Sequence, residues 1–350
     1  MSAHSPTIAD IAKALGVTPS TVSRALQGHP RISVRTKHAV QAMAEKLNYQ
    51  PNQMAAGLRK GRSRLLGVVV PLFNMNFFSN VIYGIEQVAH EHGYSVIICQ
   101  SNDQQSKEAT IVQAQIQTPV AGVIAALARE TQDFSHYQHI LDQKIPLVLF
   151  DRITDRFGVS TVAIDDHLGG YRATQHLIKQ GCTRIAHLGG LSRLNIYRDR
   201  LRGYQDALRD YGLPERSEHV LYPIRNQHDI AHGYQAMAEL WQRSPQPDGI
   251  FSASDHAAVG AIKYLKEQGV SVPEQVAIVG FANEPFTELV EPGISSVDQC
   301  SQSMGQAAAE ILMGQLRDAD TPVQKSVLTP RLIIRASSLR LGSSSGDLPK

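Results

Sequence analysis

Thr7-Ile8-Ala9-Asp10-Ile11-Ala12, followed across Leu15-Gly16-Val17 by Thr18-Pro19-Ser20-Thr21-Val22-Ser23-Arg24-Ala25-Leu26, is the stretch that decides the fold of the N-terminal segment. Thr7 stands where a capping side chain accepts from first-turn backbone donors, with Asp10 three residues on at capping-box spacing. Ile8, Ile11, Ala12 and Leu15 recur at steps of three and four, so one face of a first helix is apolar. Gly16 supplies a residue able to take positive φ at the helix end. Thr18 then caps a second helix whose first position is Pro19, where a missing N–H is harmless. Val22, Ala25 and Leu26 turn inward and leave Ser20, Thr21, Ser23 and Arg24 on a short polar and basic face. A third helix from about Ser33 to Leu47, with Val34, Val40, Met43, Ala44 and Leu47 apolar, would close a three-helix core. Two short helices joined by a tight turn, the second polar and basic outside, form a helix-turn-helix suited to reading a DNA groove.

Charge places the same segment against phosphate. Residues 1–64 carry ten Lys or Arg against Asp10 and Glu45, a net of +8; the chain as a whole sums to +2, so the remainder stands at −6. A basic head on an acidic body should bind DNA with an affinity that falls by roughly 0.9 log unit per log unit of salt for each phosphate neutralised.

The rest of the 350 residues reads as an alternating α/β body. Leu65–Val70, Ser95–Cys99, Gly122–Ala126 and Pro146–Phe150 are short apolar runs, separated by helical spacing over Val81–His92 and Gln105–Gln117. A second series past Asp165 runs through Arg184–Leu188, His219–Tyr222, Gly249–Ala253 and Val276–Phe281. Strands without polar alternation are covered on both faces, which predicts two doubly wound lobes of parallel sheet with a ligand cleft between them. No apolar run approaches the ~18 to 20 residues of a membrane span. The N-terminus Met1-Ser2-Ala3-His4-Ser5-Pro6 lacks the pattern of a secretory signal, which points to the cytoplasm. Cys99, Cys182 and Cys300 are scattered and unpaired by spacing, and read as small buried apolar residues of a reducing compartment rather than as zinc or disulfide ligands.

Between head and body, Asn48-Tyr49-Gln50-Pro51-Asn52-Gln53-Met54-Ala55-Ala56-Gly57-Leu58-Arg59-Lys60-Gly61-Arg62 allows only a short helix after Pro51. That is well under the ~12 to 15 residues an isolated helix needs, so the segment is expected to order only against a partner. From about Thr7 to Ser338 the chain resembles transcriptional regulators of the LacI/GalR family. The resemblance is carried by Val17–Leu26, by Asn48–Asn52 with Ala55 and Leu58, and by Phe150-Asp151-Arg152, Arg200–Tyr204, Ala253-Ser254-Asp255 and Val279-Gly280-Phe281.

The resemblance implies a homodimer that represses by binding a near-palindromic double-stranded operator, one second helix in each major groove and paired hinges over the central minor groove. Carried over by position, Thr18, Pro19, Ser20, Thr21, Ser23 and Arg24 face bases or flanking phosphates, with Arg24 as the guanine reader. Asn52 and Ala55 face DNA, and Leu58 is either the wedge that kinks a central base step or a linker residue packed on the body. The organisation implied is a helix-turn-helix domain over 1–49, a hinge over 50–63 and a body over 64–340 resembling a periplasmic binding protein. Its first lobe takes in about 64–164 and 299–328, its second about 165–296 and 330–340; a Ser- and Gly-rich tail over 341–350 is expected to be disordered.

The same carry-over assigns Asp151, Arg200 and Gln299 to an effector cleft, where carboxylate and guanidinium offer paired hydrogen bonds to vicinal hydroxyls or to an acidic ligand. Phe73, Phe77 and Phe78 could stack on a sugar, pack the core or meet a second subunit; His228 stands where relatives place an aromatic wall, or is an exposed helix-start residue. Two positions depart from the sugar-responsive pattern. Ser254-Asp255 replaces Asn-Asp, with Asp255 open to a capping role, and Ala282-Asn283 replaces Asp-Asp, leaving Asn283 to donate and accept in a cleft that lacks a carboxylate there. The effector is expected to be a carbohydrate or derivative, with no cofactor and no metal.

Catalytic constellations are missing by pattern. Asp165-Asp166-His167 reads as helix capping at the crossover between lobes, and His90-Glu91-His92 lacks the spacing that puts two His on one helix face. No nucleophile elbow or phosphate-binding loop appears. A solute-binding protein would share the body but not the basic head, and a sugar-modifying enzyme would need groups the sequence does not supply.

Overall fold

The computed structural model of the protein describes residues 6–49, 63–118, 120–222 and 230–340. Asn52, Ala55, Gly57 and Leu58 of the expected hinge, His228 and the 341–350 tail lie outside the described residues. The chain divides into two compact units, residues 1–63 and 64–350.

The first unit contains α1 (Ile8–Leu15), α2 (Pro19–Leu26) and α3 (Val34–Lys46). At the start of α1 the Thr7 backbone N–H donates to the Asp10 carboxylate at 2.8 Å. The Thr7 side chain accepts from the Asp10 backbone, which completes the expected capping box, and its hydroxyl also lies 2.7 Å from the same carboxylate as a donor. Gly16 closes the helix at φ 64, and Val17 N–H reaches back to Ala12 O at 3.0 Å. Thr18 caps α2, its Oγ1 accepting from Thr21 N–H at 3.3 Å. Ile11, Val22 and Val40 are fully buried at the centre, backed by Ala12, Ala25 and Ala44. Val34 departs from the expected core: it is the first residue of α3 and 69% exposed, its side chain ahead of the turn that packs.

In the second unit, one sheet runs in the order β11-β5-β4-β3-β1-β2, all neighbours parallel. Its strands are β1 (Leu65–Val70), β2 (Ser95–Gln100), β3 (Gly122–Ala125), β4 (Leu147–Phe150), β5 (Ser160–Ile164) and β11 (Lys325–Leu328). The other sheet runs β12-β10-β9-β8-β6-β7, with β12 (Arg331–Ile333) antiparallel to β10 (Ser295–Asp298) and the rest parallel. Its remaining strands are β6 (Ile185–Leu188), β7 (Val220–Leu221), β8 (Gly249–Ser252) and β9 (Ala277–Phe281). Helices α4 (Asn76–Glu91), α5 (Gln105–Gln117), α6 (Ser135–Asp142) and α11 (Ser301–Arg317) cover the first sheet. Helices α7 (Asp166–Lys179), α8 (Asn195–Asp210), α9 (Ile230–Trp241) and α10 (Asp255–Glu267) cover the second. The chain passes from the first sheet to the second after β5, returns between β10 and α11, and crosses again between β11 and β12.

Three helix crossings are built on reciprocal glycines. Where α7 meets α8, a methyl added at Gly203 would lie 2.1 Å from the carbonyl oxygen of His167, and one at Gly170 would lie 2.3 Å from that of Arg200. Gly84 with Gly305 does the same for α4 and α11, and Gly233 with Gly260 for α9 and α10. Backbone-to-backbone approach of this kind leaves no room for a Cβ, and at α7–α8 it carries the first turn of α7 to the side of Arg200. Cys182 is buried as expected, but Cys99 and Cys300 are only half-buried. Among the described residues no helix is long and apolar enough to cross a membrane.

Candidate functional site

On the helix-turn-helix, Thr18, Pro19, Ser20 and Arg24 are exposed, while Thr21 and Ser23 are partly covered. The Thr18 hydroxyl lies 2.9 Å from both the Ser20 and the Thr21 hydroxyls, which ties the polar face at the start of α2 together. After α2 the chain turns through Gly28 at φ 70, and Lys37 of α3 donates to the Gly28 carbonyl at 2.9 Å. Arg31 and Arg35 stay exposed nearby. Short hydroxyl side chains that order one another, one extended guanidinium and flanking cations can contact base edges and phosphates together.

In the second unit a cavity opens between the lobes. Met75, Phe77, Phe78, Asp151 and Arg152 face it from one lobe; Tyr197, Arg200, Ser254, His256 and Glu284 face it from the other; Gln299 lies on the segment joining them. Asp151 follows β4 in a left-handed conformation at φ 56, one that Asp tolerates better than most residues. It is 4% exposed, and its Oδ1 is buried with no hydrogen-bond partner. Burial pushes its carboxyl up, against the pull of Arg152 and Arg200. The Asp151 carbonyl accepts from Asn195 Nδ2 at 3.0 Å, and Asn195 Oδ1 accepts from Ile153 N–H at 3.2 Å, so the first residue of α8 clasps the opposite lobe at the cavity wall.

Arg200 is 3% exposed, with Nε donating to Asp166 Oδ1 at 2.7 Å and Nη1 to the Ala253 carbonyl at 3.0 Å. Its guanidinium sits 3.6 Å from the Phe281 ring centroid. Burial raises the Asp166 carboxyl to about 7, with Arg200 opposing the rise. Arg152 is paired with Asp103, and its Nε is buried without a partner. Burial works to raise Asp103, but the Arg152 guanidinium outweighs it and holds that carboxyl low.

Several sequence expectations land elsewhere. Phe73 is 44% exposed and outside the cavity lining, because α4 starts at Asn76 and takes up only Phe77 and Phe78 in its first turn. Asn283 also lies off the lining: its Nδ2 donates to Asp298 at 3.2 Å and its Oδ1 accepts from Arg335 at 3.0 Å, which turns it toward β10. Asp255 does not cap α10. Its two oxygens accept from the Ser296 hydroxyl at 2.7 Å and from Glu284 N–H at 2.9 Å. Asp165, by contrast, does cap α7, accepting from Leu168 N–H at 2.8 Å.

Arg152, Tyr197, His256 and Glu284 were not singled out in the sequence as site residues. Tyr197 had a usable signal, since it precedes Arg200 by three positions on one helix face. Among the described residues no group of three or more His, Cys, Asp or Glu side chains could hold a metal ion.

The buried carboxyls give the body a pH signature. Burial and the neighbouring Asp255 raise Glu284 to about 7, and burial raises Asp255 to about 6 against the Ser296 hydrogen bond. Both lie above the ordinary values of 4.5 and 3.8, so the unfolded chain releases these protons first. Their contribution to stability is therefore intact below about pH 4 and lost as pH rises through 6 to 7. A tenfold change in proton affinity is worth about 1.4 kcal/mol, so Glu284→Gln should gain on the wild type by about 1 to 3 kcal/mol between pH 5 and pH 8. Thermal melts at the two pH values check this; a constant difference would show that Glu284 keeps its ordinary proton affinity.

Residues 7–52 match the model of bacterial regulatory proteins of the lacI family, and residues 174–338 match that of a periplasmic binding protein-like domain. The chain is 30% identical to the HTH-type transcriptional regulator DegA of Bacillus subtilis over 338 residues, covering 96% of this chain and 99% of that one. It is also 30% identical to the HTH-type transcriptional repressor CytR of Escherichia coli, covering 96% and 97%. A solved transcriptional regulator CelR–cellobiose complex superposes with a TM-score of 0.73 at 29% identity, covering 95% of this chain and 99% of that one.

Proposed function

Since this chain belongs to the LacI family of bacterial regulatory proteins and is a DNA-binding transcriptional regulator, we propose that it is a cytoplasmic repressor whose grip on a near-palindromic operator is set by a saccharide between its lobes. The observation that carries the effector assignment is the interlobe cavity itself, where Asp151 Oδ1 is buried and unpartnered beside Arg200, Ser254 and Gln299. An acceptor left unsatisfied in a polar cavity is stabilised by a ligand that donates to it. The relative solved with cellobiose, similar along nearly its whole length, supports a carbohydrate. Phe77 adds an aromatic face to the same wall.

The working unit is a homodimer. The edge strand β2 with Ile98 41% exposed, and α4 with Tyr83 53% exposed, offer a partly apolar surface that a second copy would cover. Ligand binding alters the angle between lobes, which Asn195 and the Arg193 guanidinium on the Arg129 carbonyl span at 2.9 to 3.2 Å. Coupling between effector and DNA is then about 1 to 3 kcal/mol and reciprocal. Asn52, Ala55 and Leu58, outside the described residues, are the positions assigned to relay it to the operator. No catalytic step belongs to this reading; DegA and CytR, similar over nearly their whole length, are regulators.

Operator selection from genomic fragments, followed by titration with and without saccharides, tests the proposal. Expected is a palindromic site whose affinity changes with one sugar; affinity unmoved by every sugar would overturn the gating. On the selected site Arg24→Ala should weaken binding by about 1 to 3 kcal/mol per half-site and relax preference at one base pair. An equal loss on unrelated DNA in the same gel-shift titration would make Arg24 a phosphate contact instead.

A further inference from the structure

Building on the reading of the interlobe cavity as the effector site, we infer that Glu284 is a specificity-determining residue there, and that with Asp151 it selects an uncharged polyhydroxylated ligand over one bearing phosphate or carboxylate. After β9 the backbone turns through Ala282 at φ 118 and Asn283 at φ 51. This turn is held from behind: Asn283 N–H donates to the Ser296 hydroxyl at 2.9 Å, and Glu284 N–H to Asp255 at 2.9 Å. With Asn283 drawn toward Asp298 and Arg335, the turn brings Ala282 and, as its ionisable group, Glu284, 5% exposed, to the cavity lining. The carboxylate that the Ala282-Asn283 sequence lacks is thus supplied one residue later.

Charge balance decides the ligand class. The cations facing the cavity are Arg152 and Arg200, and each already has a buried carboxylate, Asp103 and Asp166. His256 also lines the wall, and burial lowers its proton affinity, which disfavours a cation there. Asp151 and Glu284 are added to these pairs, with Asp255 behind them. Four carboxyls thus oppose two guanidiniums, and each guanidinium is already paired with a buried carboxylate. A buried phosphate or carboxylate would be desolvated without an uncompensated cation, which is costly. A neutral sugar meets acceptors at Asp151 and Glu284, an unpartnered donor at Arg152 Nε, and ring faces at Phe77 and Tyr197.

The test uses the full-length protein and matched pairs of probes: glucose with glucose 6-phosphate, ribose with ribose 5-phosphate, and inorganic phosphate alone, at constant ionic strength. Thermal shift and calorimetry are expected to find stabilisation by an uncharged member and none by its phosphate ester or by inorganic phosphate. For that sugar Glu284→Gln should raise Kd roughly tenfold, the loss of a charge-assisted hydrogen bond, and Gln299→Ala should also weaken it. Binding of an ester or of inorganic phosphate as tight as that of the parent sugar overturns the inference, as does an unchanged Kd in Glu284→Gln. If Gln299→Ala still weakens binding in that case, the cavity remains the effector site and only the charge selection fails. If neither substitution moves Kd, the cavity is not the site and the effector reading falls with it.

Discussion

Arg200→Ala is expected to destabilise the body by about 3 to 5 kcal/mol, the range for removing one partner of a buried ion pair, and to abolish the effector response. The Asp166 carboxylate would lose its 2.7 Å partner, the Ala253 carbonyl a donor, and the Phe281 ring the cation over its face. Burial already lifts Asp166 to about 7, so without the guanidinium it holds a proton to still higher pH. The deficit of the variant should therefore grow as pH rises above 7, where Asp166 must either ionise unpaired or unfold. Urea unfolding of the full chain measures it, with Asp166→Asn as the second arm of a cycle. Coupling means that Asp166→Asn costs little once Arg200 is gone. Additivity within about 0.5 kcal/mol would show that the two side chains act independently.

Gly203→Ala is expected to cost at least the upper end of the roughly 1 to 3 kcal/mol typical of overpacking. The added methyl would meet the His167 carbonyl oxygen at 2.1 Å and Tyr171 N at 2.7 Å, both backbone atoms that cannot swing aside. Ala gains about 1 kcal/mol over Gly in helix propensity, so a net loss isolates the clash. Gly158→Ala, with nothing within 4 Å of the added atom, is the control. Melting temperatures within a degree of each other would mean that α7 and α8 separate at little cost. Separation would also draw Asp166, on the first turn of α7, away from Arg200 on α8. The same variant should therefore lose effector affinity even though residue 203 touches no ligand.

The head was legible because its signals are local. Caps at Thr7 and Thr18, the positive φ at Gly16 and the apolar steps of α1 and α2 lie within a few residues of one another. The apolar core strands were legible for a similar reason, being runs with no polar alternation. By contrast, β10 reads Ser295-Ser296-Val297-Asp298, and its buried serines are satisfied by Ser337, Arg335 and Asp255. A polar strand of that kind has no apolar pattern to find, because its partners are far along the chain. Strands β5, β11 and β12 and helix α6 went unread because each opens on polar residues, at Ser160-Thr161, Lys325-Ser326, Arg331 and Ser135-His136. In the cavity, Asp151, Arg200, Ser254 and Gln299 were reached through family resemblance, and Phe77 through its place after the first strand. Phe73 and Asn283 sit beside true lining residues, and only the start of α4 and the turn after β9 separate the two outcomes.

By itself the sequence determined a basic helix-turn-helix, an alternating α/β body in two series, and membership of a family of DNA-binding regulators. Each of these rests on period, capping, charge segregation or position-specific motifs, which are properties of neighbours in the chain. Only the tertiary structure decided that Arg200 pairs with Asp166 and Arg152 with Asp103, and that Asp151 Oδ1 is buried without a partner on the cavity wall. Those pairings span 34 and 49 residues, and the first depends on α7 and α8 approaching to backbone contact at glycines. Charges so far apart in the chain neutralise one another only once packing has brought them into the same low-dielectric space, and no local pattern encodes that meeting.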